Sequence, residues 1–243
     1  MKIATNLSAS LSMCSRKFGW NRVLVSRFSQ SPSHQPYTTT WETLREMYRT
    51  DPERILTYND PLTHRIDGRV FKPDPGLLPV NDPLLLPQIV GWNLVKPDPV
   101  TVPDCLGNGI HLVGLSLRGG FDYTKSWIDP WEQHFKSESQ LNITEIFLHE
   151  YSFLKYLKGT FIRKLQKEIP PQHFSRTIVS FGNAHEISVA LLLPSKYTGY
   201  VYLVDSQKRV RWRGCGQAKS DEIKTLIECT SQLLRGTSHK KSR

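Results

Sequence analysis

Four cysteines are the residues of this chain best suited to redox or metal chemistry. They are Cys14, Cys105, Cys215 and Cys229, and no pair has the CxxC spacing of redox or zinc motifs. The histidines are scattered, and we assign no metal ligands and no cofactor among them. Cys215 ends the stretch "RVRWRGC", whose neighbouring arginines would lower its pKa and favour a nucleophilic thiolate. A thiol oxidoreductase acting through Cys215 is one hypothesis, and a structural thiol is the other.

The elements that would position Cys215 alternate regularly along the second half of the chain. Apolar runs and alternation predict strands at 109–119, 142–150 and 177–181 and a terminal hairpin from 200–205 and 208–213. Helices are predicted at 129–135, 152–171, 184–194 and 220–234. Helices between strands imply parallel pairing, whereas the tight turn requires an antiparallel pair. The sequence therefore predicts an α/β fold with a mixed, thioredoxin-like sheet of the peroxiredoxin type.

Local signals also predict where two helices begin and which faces they bury. Asp129 is expected to cap a helix that has Pro130 in its first turn. In the helix at 152–171, the residues expected on the inner face are Leu154, Leu157, Phe161, Ile162 and Leu165. The lysines of that helix are expected on its other faces.

The position of a catalytic thiol on this plan is empty. Thiol enzymes of this kind place their nucleophile at the start of the first helix, where the helix dipole lowers the thiol pKa. The corresponding stretch, "RGGFDYTKSWIDPWEQHF", has no cysteine, and its Ser126 has no nearby base. Gly199 stands where thioredoxins have a cis-proline before the hairpin. We therefore expect a protein that is not an enzyme.

The hairpin instead offers a basic stripe. Arg209, Arg211 and Arg213 are expected to share one face of the last strand, with Val210 and Trp212 on the other. Such a stripe either protects the edge of the sheet or docks on an acidic or phospholipid surface. The three arginines and Trp92 are our candidate partner-binding residues.

Charge and composition separate the ends of the chain from its body. The net charge is +10, yet residues 1–41 hold five basic residues and no acid, and the tail adds more basic charge. The body is close to neutral, so we expect no nucleic-acid partner. Residues 1–30 are basic, Ser-rich and acid-free, with a cationic amphipathic stretch, as in a mitochondrial transit peptide.

Between leader and sheet lies a proline-rich region. Residues 38–52 predict a short helix, and 60–104 hold nine of the sixteen prolines, interleaved with apolar residues such as Trp92. An extended apolar arm either wraps its own domain or grips a partner. The predicted organisation is a transit peptide at 1–30, the helix and arm at 31–104, a thioredoxin-like domain at 105–235 and a basic tail at 236–243.

Two stretches carry a family resemblance. "HLVGLSLRGG" with "SWIDPWEQHF", followed by "GYVYLVDSQKRVRWRGCG", resembles the mitochondrial ATP synthase assembly factors, over roughly residues 40–234. The resemblance implies a peripheral protein on the matrix side of the inner membrane. It implies binding of newly made subunit a of the membrane (Fo) sector until that subunit joins the ring of subunit c. The alternatives are a peroxiredoxin-like reductase using Cys215 and, less well supported by the charge, an RNA-binding protein.

Overall fold

The computed structural model describes residues 68–81, 84–96, 98–117, 120–182 and 184–238. The predicted transit peptide at 1–30, the helix at 38–52 and residues 239–243 of the basic tail lie outside this part of the chain. The described residues form one eight-stranded sheet. Its strands are β1 (Leu84–Leu85), β2 (Ile89–Asn93), β3 (Pro99–Val102), β4 (Ile110–Ser116), β5 (Leu141–His149), β6 (Thr177–Phe181), β7 (Gly199–Val204) and β8 (Arg209–Cys215).

The strand order across the sheet is β1-β8-β7-β4-β5-β6-β2-β3. The strands β4, β5 and β6 are parallel neighbours, and β7 and β8 are antiparallel. A parallel pair joined by a helix, beside an antiparallel hairpin that leads into a last helix, is the thioredoxin-like arrangement. The fold class predicted from the sequence is therefore confirmed. The strands β4 and β7 are buried along their whole length, as their apolar composition requires.

Four helices cover the sheet: α1 (Phe121–His134), α2 (Lys158–Glu168), α3 (Ala184–Leu191) and α4 (Ser220–Ser238). Short 3-10 helices span Ser152–Leu157 and Pro171–His173. The helices α1 and α4 pack on one face of the sheet, where Trp127, Trp131, Trp212 and Leu226 are almost completely buried. The helix α3 packs on the opposite face through Ala184, Ile187 and Leu191.

The proline-rich arm belongs to the sheet, because it supplies β1, β2 and β3. The two-residue strand β1 pairs with β8 at one edge, and β2 pairs with β6 at the other. Of the two alternatives for the arm, wrapping its own domain therefore describes the part of it that the structure shows. Prolines are tolerated at edges because the outermost strand has N–H groups with no ladder partner.

The first helix begins earlier than the sequence signals indicated. The helix α1 starts at Phe121, so Asp129 is not a cap and Pro130 lies inside the helix. Thr124, Trp127, Ile128 and Trp131 all point into the protein. Burial of these four side chains outweighs the cost of a proline inside the helix. The local pattern at Asp129 and Pro130 resembles a helix start and does not show this burial.

The predicted helix at 152–171 is divided. A 3-10 helix covers Ser152–Leu157, α2 follows, and neither contains a buried residue. Leu157, expected on the inner face, is exposed, whereas Phe161, Ile162 and Leu165 are half-buried. A 3-10 helix has three residues per turn, so an inner face predicted with 3.6 residues per turn is wrong in this segment.

Candidate functional site

The corner that holds the reactive thiol in a thioredoxin-like enzyme lies between α1 and the loop before β7. The sequence has no cysteine between Cys105 and Cys215, so none reaches this corner from α1. A Cβ on Gly120 would collide with the backbone of Thr198 and Gly199, and a Cβ on Gly199 would collide with the Gly120 carbonyl. Backbone packed on backbone therefore closes the corner.

The arm covers the same corner from outside. Thr198 Oγ1 donates a hydrogen bond to the Gly68 carbonyl, and the Tyr123 ring lies against Gly68. Ser126 Oγ donates to the Tyr123 carbonyl at 2.6 Å and accepts from the Ala218 N–H at 3.0 Å. The hydroxyl of Ser126 thus joins α1 to the loop before α4 through main-chain groups, and no base among the described residues is hydrogen-bonded to it.

Cys215 is a buried thiol beneath the arm. Its Sγ accepts the N–H groups of Val70 and Phe71 at 3.5 and 3.4 Å and lies 3.3 Å from the Phe71 carbonyl. Burial raises its pKa to about 11, more than the two N–H groups and the Arg69 charge lower it. The expectation that Arg211 and Arg213 would lower this pKa is wrong. A protonated, enclosed thiol is unlike the exposed thiolate of a redox enzyme.

Arg213 anchors the arm to the sheet. Its guanidinium donates two hydrogen bonds of 2.9 Å to the Asp74 carboxylate, and the residue is almost fully buried. The Trp212 indole N–H donates to the Asp74 carbonyl at 2.7 Å, and Arg69 forms an ion pair with Glu222 on α4. These polar contacts connect the start of the described arm to β8 and to the last helix.

The predicted basic stripe is interrupted by a β-bulge. Leu203 pairs with Trp212 but Val204 pairs with Val210, so Arg211 is the extra residue. Val210 consequently joins the core on the α3 side and Trp212 the core on the α1 side, and the expectation that they share a face is wrong. A bulge shifts the alternation by one residue, and the loss of strict period-2 patterning explains the error.

The other two hairpin arginines share one acid. Arg209 approaches Asp205 at 2.7 Å and Arg211 at 3.5 Å, and Arg211 Nε also donates to the Leu78 carbonyl. All three arginines therefore make contacts within the chain, and the side chain of Arg213 is buried by its contacts. The structure does not gather them into one exposed basic surface.

Trp92 lies on β2 beneath the start of α2. Its ring packs on Phe181 at a centroid distance of 5.8 Å, and Lys158 Nζ lies 4.7 Å from the ring centroid. Phe181 also contacts the rings of His149 and Phe161, which makes a continuous aromatic layer. Burial lowers the pKa of His149 and so favours the neutral ring.

Sequence reasoning missed an exposed apolar surface beside this layer. We name residues 151–158 the aromatic segment; its exposed apolar residues are Tyr151, Phe153, Tyr156 and Leu157. Next to it, a groove of about 350 Å³ separates residues 93–96 from α2. The available signal was "YSFLKYLK", in which aromatic residues alternate irregularly with lysines and no single helical face holds them all.

A second cavity, of about 320 Å³, lies where the parallel strands β4 and β5 begin. Its lining includes Cys105, His111 and Arg176. Arg176 is already neutralised by Glu132 and Glu145 at 2.7 and 2.9 Å. Within the described ranges, no group of three or more His, Cys, Asp or Glu residues is arranged to hold a metal ion. None of the described helices has the length and apolar character to span a membrane.

A family model and two curated proteins with the same family name match this chain. The family model described as ATP10 protein matches residues 61–233. A probable mitochondrial ATPase complex subunit atp10 of Schizosaccharomyces pombe is 23% identical over 207 residues, which cover 85% of this chain and 72% of that protein. The mitochondrial ATPase complex subunit ATP10 of Eremothecium gossypii is 24% identical over 184 residues, 73% of this chain and 67% of that protein.

Solved structures are more distant. A structure of BsSco, described as a member of the Sco family of cytochrome c oxidase assembly proteins, has 16% identity and a TM-score of 0.43. The match covers 64% of this chain and 99% of that one. The matched family region spans the closed corner, the arm contacts and the aromatic segment. On these findings, the chain belongs to the ATP10 family of mitochondrial ATP synthase assembly factors.

Proposed function

We propose that this chain binds newly made subunit a of the mitochondrial ATP synthase membrane sector and promotes its joining to the subunit c ring. We place it peripherally on the matrix side of the inner membrane. The observation that carries the proposal is the family match over residues 61–233, which includes nearly all of the described fold. Relatives with this family's name are described as mitochondrial ATPase complex subunits.

The chemistry of the fold supports binding rather than bond-making. The corner where a thiol enzyme needs an exposed, low-pKa cysteine is closed by Gly120 and Gly199 and covered by the arm. The thiol of Cys215 is buried, with a pKa raised to about 11. Among the described residues, the surroundings of Cys215 do not favour the alternative function of a Cys215-dependent reductase.

The need for such a factor follows from the physical chemistry of its client. A multi-span subunit carries polar groups within its spans, and before assembly these groups and its packing surfaces lack their partners. Such surfaces favour aggregation and proteolysis. A protein that covers part of them from the matrix side would raise the fraction of subunit a that reaches the ring.

The test is genetic and biochemical. In cells that lack their own family member, we expect an assembled catalytic sector but depleted subunit a and little coupled complex, and this chain should restore both. Crosslinking inside isolated mitochondria during labelling of mitochondrially encoded proteins should capture subunit a. Normal accumulation of subunit a in the deletion cells would refute the proposal.

A matched pair of variants separates binding from thiol chemistry. Cys215→Ser should restore subunit a as well as the unaltered chain does, because no step uses the thiol. Asp74→Ala, which disrupts the attachment of the arm to Arg213, should restore less. Peroxide consumption that requires Cys215, together with failure of Cys215→Ser to rescue, would instead support an enzyme.

A further inference from the structure

The aromatic segment concentrates apolar surface in a small part of the described fold. Tyr151, Phe153, Tyr156 and Leu157 are 53%, 60%, 81% and 52% exposed, and they lie within seven consecutive residues. The 3-10 helix that carries three of them has no buried residue. Contiguous exposed apolar side chains of this kind mark a surface for a protein or a membrane.

Basic residues accompany these apolar ones along the chain. Residues 151–168 contain five basic residues, which are Lys155, Lys158, Arg163, Lys164 and Lys167, against one acid, Glu168. Lys155 lies over the Tyr156 ring, with its Nζ 5.4 Å from the centroid. The nearest acid on the other side, Glu150, is 3.3 Å from Lys196 and so is already paired. Residues 151–168 therefore combine exposed apolar side chains with a net positive charge.

The segment rests on a firm base. Behind it, His149 stacks on Phe181 at 5.2 Å and contacts Phe161 at 4.8 Å. Gly182 lies against Ser152 at a backbone φ of +83°, a conformation that favours glycine and lets the segment lie close to the end of β6. Because the aromatic rings behind the segment are packed together, its exposed side chains can insert into a membrane without unfolding the domain.

We infer that the aromatic segment, with the basic residues of α2, is a docking surface for an anionic phospholipid bilayer. Tyrosine, phenylalanine and leucine with interspersed lysines are the residues that partition into the headgroup boundary, where lysine chains extend to the phosphates. Lys158 and Arg163 also line the neighbouring groove, but none of the four exposed apolar side chains does, so these tips project rather than enclose a guest. A projecting surface fits a fluid lipid layer better than a shaped peptide.

This inference deepens the proposed function, because the choice of lipid rests on the proposed inner-membrane location. A single cluster of this size gives weak, salt-sensitive binding, since each basic residue near an anionic surface contributes about fivefold in affinity. Reversible attachment of this kind suits a factor that must deliver its client and leave.

The first experiment is hydrogen exchange of the full chain with and without vesicles. We would use phosphatidylcholine vesicles containing about one-third phosphatidylglycerol, with pure phosphatidylcholine as the neutral comparison. We expect amides of residues 151–157 to gain protection on the anionic vesicles and to lose most of it on neutral vesicles or in high salt. The readout is local, so binding by the basic N-terminal region does not mimic it.

Variants give the second measurement. Phe153→Ser combined with Tyr156→Ser should abolish the protection at 151–157 and weaken this contact by about tenfold or more, because the two most exposed apolar tips are lost. The matched control is Leu85→Ser, which removes an equally exposed apolar side chain from β1 and should leave the protection unchanged. Both variants change exposed residues, and circular dichroism should show the same thermal midpoint as the unaltered chain.

Three outcomes would overturn the inference. They are protection confined to residues outside 151–168, equal protection on neutral and anionic vesicles, and no protection of the segment on either kind of vesicle. The vesicle experiment contains no ATP synthase subunit, so its failure leaves the proposed function standing, whereas rescue experiments with subunit a test that function separately.

Discussion

Replacing Asp74 by alanine removes the carboxylate that neutralises the buried guanidinium of Arg213. The side chains of Arg213 and Asp74 are only 3% and 10% exposed, so water cannot take the place of the lost partner. Two hydrogen bonds of 2.9 Å disappear together with the ion pair. The backbone contacts of residue 74 with β8 remain available, so the variant isolates the charge.

The expected loss is large. Leaving one member of a buried pair without its partner costs about 3–5 kcal/mol. For a folded region of roughly 200 residues, each kcal/mol lowers the thermal midpoint by about 2–4 °C, so the shift should be about 6–20 °C. The double variant Asp74→Ala/Arg213→Met should recover at least half of the loss, because it no longer buries a charge that has lost the Asp74 carboxylate.

Urea unfolding at constant m-value measures the change in the free energy of unfolding. The matched control is Glu168→Ala, which removes the acid of an exposed pair with Lys164 whose side chains are 58% and 63% exposed. That control should cost about 0–0.5 kcal/mol. Hydrogen exchange at the Asp74 and Leu78 amides, which donate to β8, reports whether the arm separates before the domain unfolds.

A loss below about 1 kcal/mol, or one no larger than that of the control, would refute the reasoning. Either result would mean that the Arg213 charge is solvated or paired elsewhere, and that Asp74 does not attach the arm. A full loss with no recovery in the double variant would show that Asp74 stabilises the fold through its shape and backbone contacts instead.

Two further predictions concern Cys215 and Gly199. Burial raises the pKa of Cys215 to about 11 from an ordinary 9.0, so its thiolate fraction at neutral pH is about one-hundredth of the ordinary fraction. Iodoacetamide should therefore label the exposed Cys105 far sooner than the buried Cys215. Rapid labelling of Cys215 would contradict this prediction. The same raised pKa stabilises the fold below about pH 9 and loses that contribution toward pH 11, so the urea midpoint should fall over this range less steeply in Cys215→Ala. Gly199→Ala should cost about 1–3 kcal/mol by urea unfolding, since its Cβ meets the Gly120 carbonyl, whereas Gly236→Ala at an exposed position of α4 should be neutral or stabilising; an equal effect at both positions would exclude the collision.

The succession of elements in the second half of the chain could be predicted because its strands and helices have strong periodicity. The apolar run at 109–119 and the alternation at 200–205 correspond to β4 and β7, each within a few residues. The helix predicted at 184–194 corresponds to α3. The strands β4 and β7 are buried along their whole length and α3 is buried on one face, so the local apolar pattern and the tertiary packing agree.

The arm strands and the aromatic segment could not be predicted in the same way. Prolines at 97, 99 and 103 argue against a strand, yet β3 forms because it lies at the edge of the sheet and needs hydrogen bonds on one side only. Leu157 was expected inside because a helix period was extended through a segment that winds as a 3-10 helix. Both outcomes depend on neighbours far away in the sequence.

The sequence by itself determined the fold class and the lack of a cysteine at the first helix, because both depend on residue identity and order. Only the tertiary structure decided the surroundings of each side chain. A bulge at Arg211 moved Val210 and Trp212 to opposite faces, Asp74 enclosed Arg213, and burial raised the pKa of Cys215. Charge, exposure and face depend on which distant residues pack against a group, and a linear pattern does not contain that information.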